Sequence, residues 1–102
     1  MIYHHIILER EPLKAQEARK LVRAIVATGT VTFVDPHALD ALADDGLTVA
    51  DAVNVLRGGT VDEPEWENGA WRYHVRTARI CVVVEFESEN ELVVVTGWRY
   101  QR

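Results

Sequence analysis

The sequence predicts an α+β domain: an antiparallel sheet of about four to five strands, packed on one face by an N-terminal helix and two short helices. Three observations carry this. From Ala70 to Tyr100 apolar residues recur with period two; between Pro12 and Gly58 they recur with helical spacing; and Asn68-Gly69 is the strongest hairpin signal in the chain.

Taken in order, Ile2 to Leu8 suits a first strand, in which His4 and His5 point to opposite faces and cannot easily chelate one metal. Pro12 then sits where a helix can start without losing a hydrogen bond. Ala18, Leu21, Val22, Ile25 and Val26 form its apolar stripe; Lys14, Arg19, Lys20 and Arg23 occupy the other side, and Gly29 closes it. Val31 to Val34 is a short strand. Asp35 and Pro36 read as N-cap and first residue of a helix that turns Leu39 and Leu42 inward and stops at Gly46. Thr48 and Asp51 resemble a capping box for the next helix, whose stripe is Val49, Ala52, Val53 and Leu56 and whose end is Gly58-Gly59. Across Asn68-Gly69, pairing sets Trp66 against Trp71, Glu65 against Arg72 and Glu63 against His74; Pro64 makes this strand an edge or a bulged one.

The stretch from Ala70 to Tyr100 divides into two chemistries. One parity holds Trp71, Tyr73, Val75, Ile80, Val82, Val84, Phe86, Leu92, Val94, Trp98 and Tyr100, which a half-buried sheet turns to a core. The other holds Arg72, His74, Arg76, Arg79, Cys81, Glu85, Arg99 and Gln101 among valines. With Thr77-Ala78 as a two-residue connection and 87–91 as the next loop, Arg76, Arg79 and Arg99 fall in one row across three strands. Like charges in such a row repel, so they are splayed into water or held for an anion. The inference depends on register, because a slip of one residue moves every arginine to the other face.

At 102 residues and 48% hydrophobic, the chain suits one domain, residues 1–102, with one core. It has no apolar run near the roughly 20 residues a membrane helix needs, and its start lacks the basic leader of a signal peptide. A single cysteine excludes an internal disulfide and fits a cytoplasmic protein. The net charge of −5 is uneven: +2 over residues 1–34, −8 over 35–67 and +1 over 68–102. This argues against a uniformly basic nucleic-acid binder and leaves room for a local basic patch on the sheet and first helix.

The fork of donors on Arg76, Arg79 and Arg99 suits phosphate oxygens and the charge that develops in phosphodiester cleavage. Without a metal, cleavage needs a base for the ribose hydroxyl and an acid for the leaving oxygen. His74 is the candidate base, with Glu63 to orient it; Tyr73 and Tyr100 are candidate stacking or acid groups, although their parity turns them inward. The chain has no glycine-rich phosphate loop with lysine, no C-x-x-C and no H-E-x-x-H, and no cofactor is expected. Cys81, among valines, reads as an inert thiol, with His74 opposite it as the one available activator.

The segments HALDALADDGLTVADAVNVLRGGTV, WRYHVRTARICVVVEF and LVVVTGWRYQR resemble a family of small domains of unknown function related to the RelE and MqsR toxins. LKAQEARKLVRAIVATGTVTF is similar to the opening helix and strand of MqsR toxins. The shared features are a histidine opening a helix (His37 here), a G-[IL]-T turn and a closing strand pair. The resemblance implies a RelE-like fold with a curved antiparallel sheet, mRNA interferase activity and neutralisation by a cognate antitoxin. It also implies that Arg72, Arg76, Arg79, Arg99 and Tyr100 take the roles of the basic and aromatic sheet residues of RelE-like toxins. Where relatives commonly carry arginines in the His-led helix, this chain has Ala41 and Asp45, so His37 is expected only to start that helix.

Two readings follow. The first is the toxin of a type II toxin-antitoxin system, a metal-independent endoribonuclease acting on mRNA, free or ribosome-bound, with no membrane contact and no DNA binding by itself. Its catalytic residues would be His74, Arg76, Arg99 and Tyr100; its RNA contacts would be Arg72, Arg79, Gln101, Lys20 and Arg23. The alternative is a non-catalytic protein-binding domain of the same fold, with the acidic stretch from Asp35 to Asp51 docking a basic partner.

Overall fold

A computed structural model describes residues 9–100, so the expected first strand with His4 and His5, and also Gln101, lie outside the described residues. Helix α1 (Ala15–Thr28) begins just past the Pro12 turn and ends at Gly29, whose N–H bonds to the Ile25 carbonyl. It buries Ala18, Val22 and Ile25, the centre of the expected stripe. Strand β1 (Thr30–Phe33) leads into α2 (His37–Asp44). Here Pro36, not Asp35, is the N-cap, and no side chain bonds there. Ala38 and Leu42 face the core while Leu39 stays exposed, so the buried stripe is rotated from the expected one.

Gly46, with φ +71°, ends α2 in the left-handed region that glycine adopts without strain. The capping box forms as expected: the Thr48 N–H donates to Asp51 Oδ2 at 2.8 Å and the Asp51 N–H to Thr48 Oγ1 at 3.1 Å. It opens α3 (Val49–Gly58), which buries Ala52, Val55 and Leu56 and leaves Val49 exposed.

Strands β2 (Thr60–Val61), β3 (Glu65–Glu67), β4 (Ala70–Arg76), β5 (Ile80–Ser88) and β6 (Glu91–Arg99) follow. The fold is α+β, and its sheet has the order β1-β6-β5-β4-β2, with β3 also on β4. Among the described residues six strands stand where about four to five were expected; Pro64 divides the 60–67 segment into two short strands along one edge of β4. The sheet is not wholly antiparallel either. β1 runs parallel to β6, which the long connection through two helices permits.

The three helices share one core with the sheet. Tyr73, Val75, Val82, Val84, Phe86, Leu92 and Val94 meet Ala18, Val22, Ile25, Ala38, Leu42 and Leu56 there. No helix among the described residues packs on the opposite face, which carries Arg72, His74, Arg76, Cys81 and Val83. Gly97 stands on the helix face because a Cβ would lie 2.8 Å from Leu42 Cδ2.

Two register changes reshape the predicted faces. Between β4 and β5 the turn is wider than two residues: Arg76 pairs with Cys81 and His74 with Val83. The shift is by two positions, so parity survives. Between β5 and β6 the expected register holds from Phe86↔Leu92 to Val84↔Val94, after which Val95 is an extra residue and the pairing resumes at Val83↔Thr96. Beyond this bulge the parity of β6 is inverted. Trp98, paired with Cys81, joins the helix-free face, and Arg99, paired with Ile80, joins the helix face.

Candidate functional site

The bulge separates the expected row of arginines. Arg76 is exposed on the helix-free face, where its Nε donates to both carboxylate oxygens of Asp62 at 3.0 and 2.9 Å. Bonding to Asp62 raises its pKa further above the ordinary arginine value, so it is a permanent cation. Arg99 lies on the other side: its backbone N–H donates to Asp45 Oδ2 at 2.7 Å and its Nε to the Asp45 carbonyl at 3.3 Å. Arg79 sits in the β4–β5 turn beside α3, lining a small hollow with Asp51 and Asn54. Arg76, Arg79 and Arg99 therefore do not form one phosphate-binding surface. One residue of register, invisible in a valine run, decides this.

Arg72 is on the helix-free face but occupied. Its Nε donates to Glu85 at 2.8 Å across the β4–β5 pair, and Nη1 stands 3.6 Å from Glu67. Glu65 lies opposite Arg72 in the strand register, as expected, but its carboxylate reaches His74 Nε2 at 4.0 Å. Glu63 does not face His74, because the break at Pro64 shifts the edge register by one and brings the Asp62 N–H to the His74 carbonyl at 3.0 Å.

His74, Arg76 and Tyr100 share the helix-free face, and Arg76 interacts with Tyr100. The His74 ring meets Trp98 edge-on with centroids 5.9 Å apart. Tyr100, expected to point inward, is 37% exposed, and the same inversion of parity puts it beside Cys81. Its phenol pKa is raised, first by burial and then by the Cys81 sulfur, so the proton stays on oxygen. Cys81 is fully buried and burial pushes its thiol up to about 11. It lies opposite Arg76, not His74, which leaves the thiol protonated and without a base. Tyr73 is inward as expected and belongs to the core: its hydroxyl accepts from the buried Leu13 N–H at 3.0 Å and donates to Glu11 Oε2 at 2.9 Å.

The remaining expected RNA contacts, Lys20 and Arg23, line a groove of about 340 Å³ on α1 with Gln16 and Arg19. The Nε of Arg19 is buried there without a hydrogen-bond partner. Because α1 turns Ala18, Val22 and Ile25 to the sheet, this basic strip points away from His74, on the far side of the molecule. His37 is exposed at the first turn of α2, the helix it was expected to start.

Sequence reasoning did not anticipate Asp62, Trp98 or Glu11 as site neighbours. Asp62 had a weak signal in the Pro64 break, whereas the bulge that recruits Trp98 had none. Among the described residues no group of three or more His, Cys, Asp and Glu side chains is placed to hold a metal ion, and no helix is long and apolar enough to cross a membrane. No protein-family model, curated protein or solved structure matches the chain.

Proposed function

We propose that the chain is a RelE/MqsR-like toxin, an endoribonuclease that cleaves mRNA and is held in check by a cognate antitoxin. The observation that carries this reading is that an imidazole, a guanidinium and a protonated phenol share one sheet face, on which no helix among the described residues packs: His74 against Trp98, and Arg76 beside Tyr100. His74 would take the proton from the ribose 2′-hydroxyl as its oxygen attacks phosphorus. Tyr100 would give a proton to the departing 5′-oxygen, and Arg76 would stabilise the charge on the phosphoryl oxygens. The products are a 2′,3′-cyclic phosphate and a free 5′-hydroxyl. Arg99, turned to Asp45, and Tyr73, in the core, have no part in this step; Lys20 and Arg23 would contact RNA only where it wraps to the far side.

Arg76 must then exchange Asp62 for phosphate, which is feasible because both side chains are nearly half exposed and such pairs are weak in water. Inducing the wild type in a bacterial host, and following growth and total mRNA against His74→Ala and Arg76→Ala variants, tests the reading. Arrest with mRNA loss only in the wild type supports it; equal arrest in all three removes this face from the mechanism.

A second reading, a non-catalytic protein-binding domain, is favoured by one observation: Arg72 and Arg76 are both already engaged by carboxylates. Normal growth, intact mRNA and retention of a basic protein partner would decide for it.

A further inference from the structure

We propose that the cleft between the β3–β4 hairpin and Glu11 binds the guanidinium of an arginine side chain presented by a partner protein. The cleft is about 350 Å³, a size suited to one polar side chain or small ligand, and Glu11, Trp66, Trp71, Glu85 and Phe86 line it. Trp71 and Phe86 are on the helix face of the sheet, so the cleft is separate from His74 and the proposal does not rest on ribonuclease activity.

Two features specify the ligand. The first is the tryptophan pair. Trp66 is 61% exposed, the most exposed of the large apolar side chains among the described residues, and it meets Trp71 edge-on at 5.2 Å. A tryptophan fixed in a hairpin but left in water is the surface that a cation covers, and indole is the best aromatic face for one. The second is Glu11. Its carboxylate is half-buried, accepts a hydrogen bond from Tyr73, and has no cationic partner among the described residues. Burial raises its pKa, which a cation in the cleft would reverse. Glu85, in contrast, is already balanced by Arg72.

Arginine fits both features better than lysine. Its planar group can lie on an indole while the edge donates to a carboxylate, whereas an ammonium is a compact, strongly hydrated point charge. A side chain on a partner protein is indicated by the surroundings. The hairpin arm reads Asp62-Glu63-Pro64-Glu65-Trp66-Glu67, and although Asp62 and Glu67 reach Arg76 and Arg72, its four carboxylates outnumber those cations and leave the tryptophan in a net acidic field that draws in a basic segment. Tryptophan and arginine are also the residues that most often anchor protein interfaces.

The test uses the full chain and two blocked peptides identical except that one carries arginine and the other citrulline, which replaces the guanidinium by a neutral urea of the same shape. Binding is followed by the NMR signals of the indole N–H groups. The arginine peptide should shift the Trp66 and Trp71 signals saturably at millimolar concentration and leave Trp98 still, while citrulline should not. Glu11→Gln and Trp66→Ala should each weaken binding about tenfold or more. The rest of the spectrum reports that each variant is folded. Equal binding of the two peptides, no binding of either, or an unchanged affinity in folded Glu11→Gln would overturn the proposal. None of these outcomes alters the His74 test.

Discussion

Replacing Tyr73 with Phe removes one oxygen from the centre of the fold and should be among the most damaging near-isosteric changes in the chain. That oxygen accepts from the Leu13 N–H at 3.0 Å and donates to Glu11 at 2.9 Å, so it ties the segment before α1 to strand β4. Tyr73 is fully buried and Leu13 is 3% exposed, so water cannot replace the lost acceptor without opening the core. Two hydrogen bonds contribute about 1 kcal/mol each, and the cost rises when a buried N–H is left unpaired; the expected loss is about 2–4 kcal/mol. A domain of this size has a total stability of about 5–15 kcal/mol. With a urea slope of about 1–3 kcal/mol/M, the unfolding midpoint should fall by about 1–2 M. The Glu11→Ala variant, which removes the acceptor of the phenol and leaves the Leu13 N–H bond, separates the two bonds in a double-mutant cycle. A loss below about 0.5 kcal/mol in Tyr73→Phe would show that the Leu13 N–H finds another acceptor and would refute the argument.

Three other outcomes are expected. Gly97→Ala should cost about 1–3 kcal/mol in thermal or urea unfolding, because the new methyl meets Leu42 Cδ2 at 2.8 Å and the Cys81 carbonyl at 3.1 Å in a closed core. The raised pKa of Glu11 means that the folded protein binds its proton more readily than the unfolded chain does. Glu11 therefore adds stability as pH falls through its folded pKa towards the ordinary value of 4.5. Compared with Glu11→Gln, the wild type should gain in urea midpoint between pH 7 and pH 4.5; an unchanged difference would contradict the shift. Cys81, with its thiol near 11, should react with a thiol reagent at pH 8 about a hundredfold more slowly in the native protein than in urea.

The helices were legible because their boundaries are written in local chemistry. Thr48 and Asp51 cap each other within one turn, and Gly29, Gly46 and Gly59 stand at the ends of helices. The hairpin at Asn68-Gly69 was legible for the same reason, and it delivered the pairs Glu65↔Arg72 and Trp66↔Trp71. The inward stripes of α2 and α3 were read less well, since Leu39 and Val49 are apolar yet exposed. The site was legible only in part. Arg72, His74 and Arg76 lie before any irregularity and were assigned to the right face. Trp98, Arg99 and Tyr100 lie after Val95 and were assigned to the wrong one. In Leu92-Val93-Val94-Val95 every residue suits either face, so nothing local marks which one is extra. The carboxylates that occupy Arg72 and Arg76 depend on long-range register and on side-chain reach, which alternation does not encode.

The order of the sheet has a consequence for synthesis on the ribosome. β6 is the last of the described strands in sequence yet lies second in the sheet, holding β1 on one side and β5 on the other. Thr30 pairs with Glu91 and Phe33 with Val94, so β1 leaves the exit tunnel long before its strand neighbour among the described residues exists. During that interval α1 has half a sheet to lie on, and the apolar edges of β1 and β5 are exposed together. Only when the residues up to Arg99 have emerged do both edges close in one event. The nascent chain is therefore most open to proteases, chaperones and mispairing just before β6 arrives.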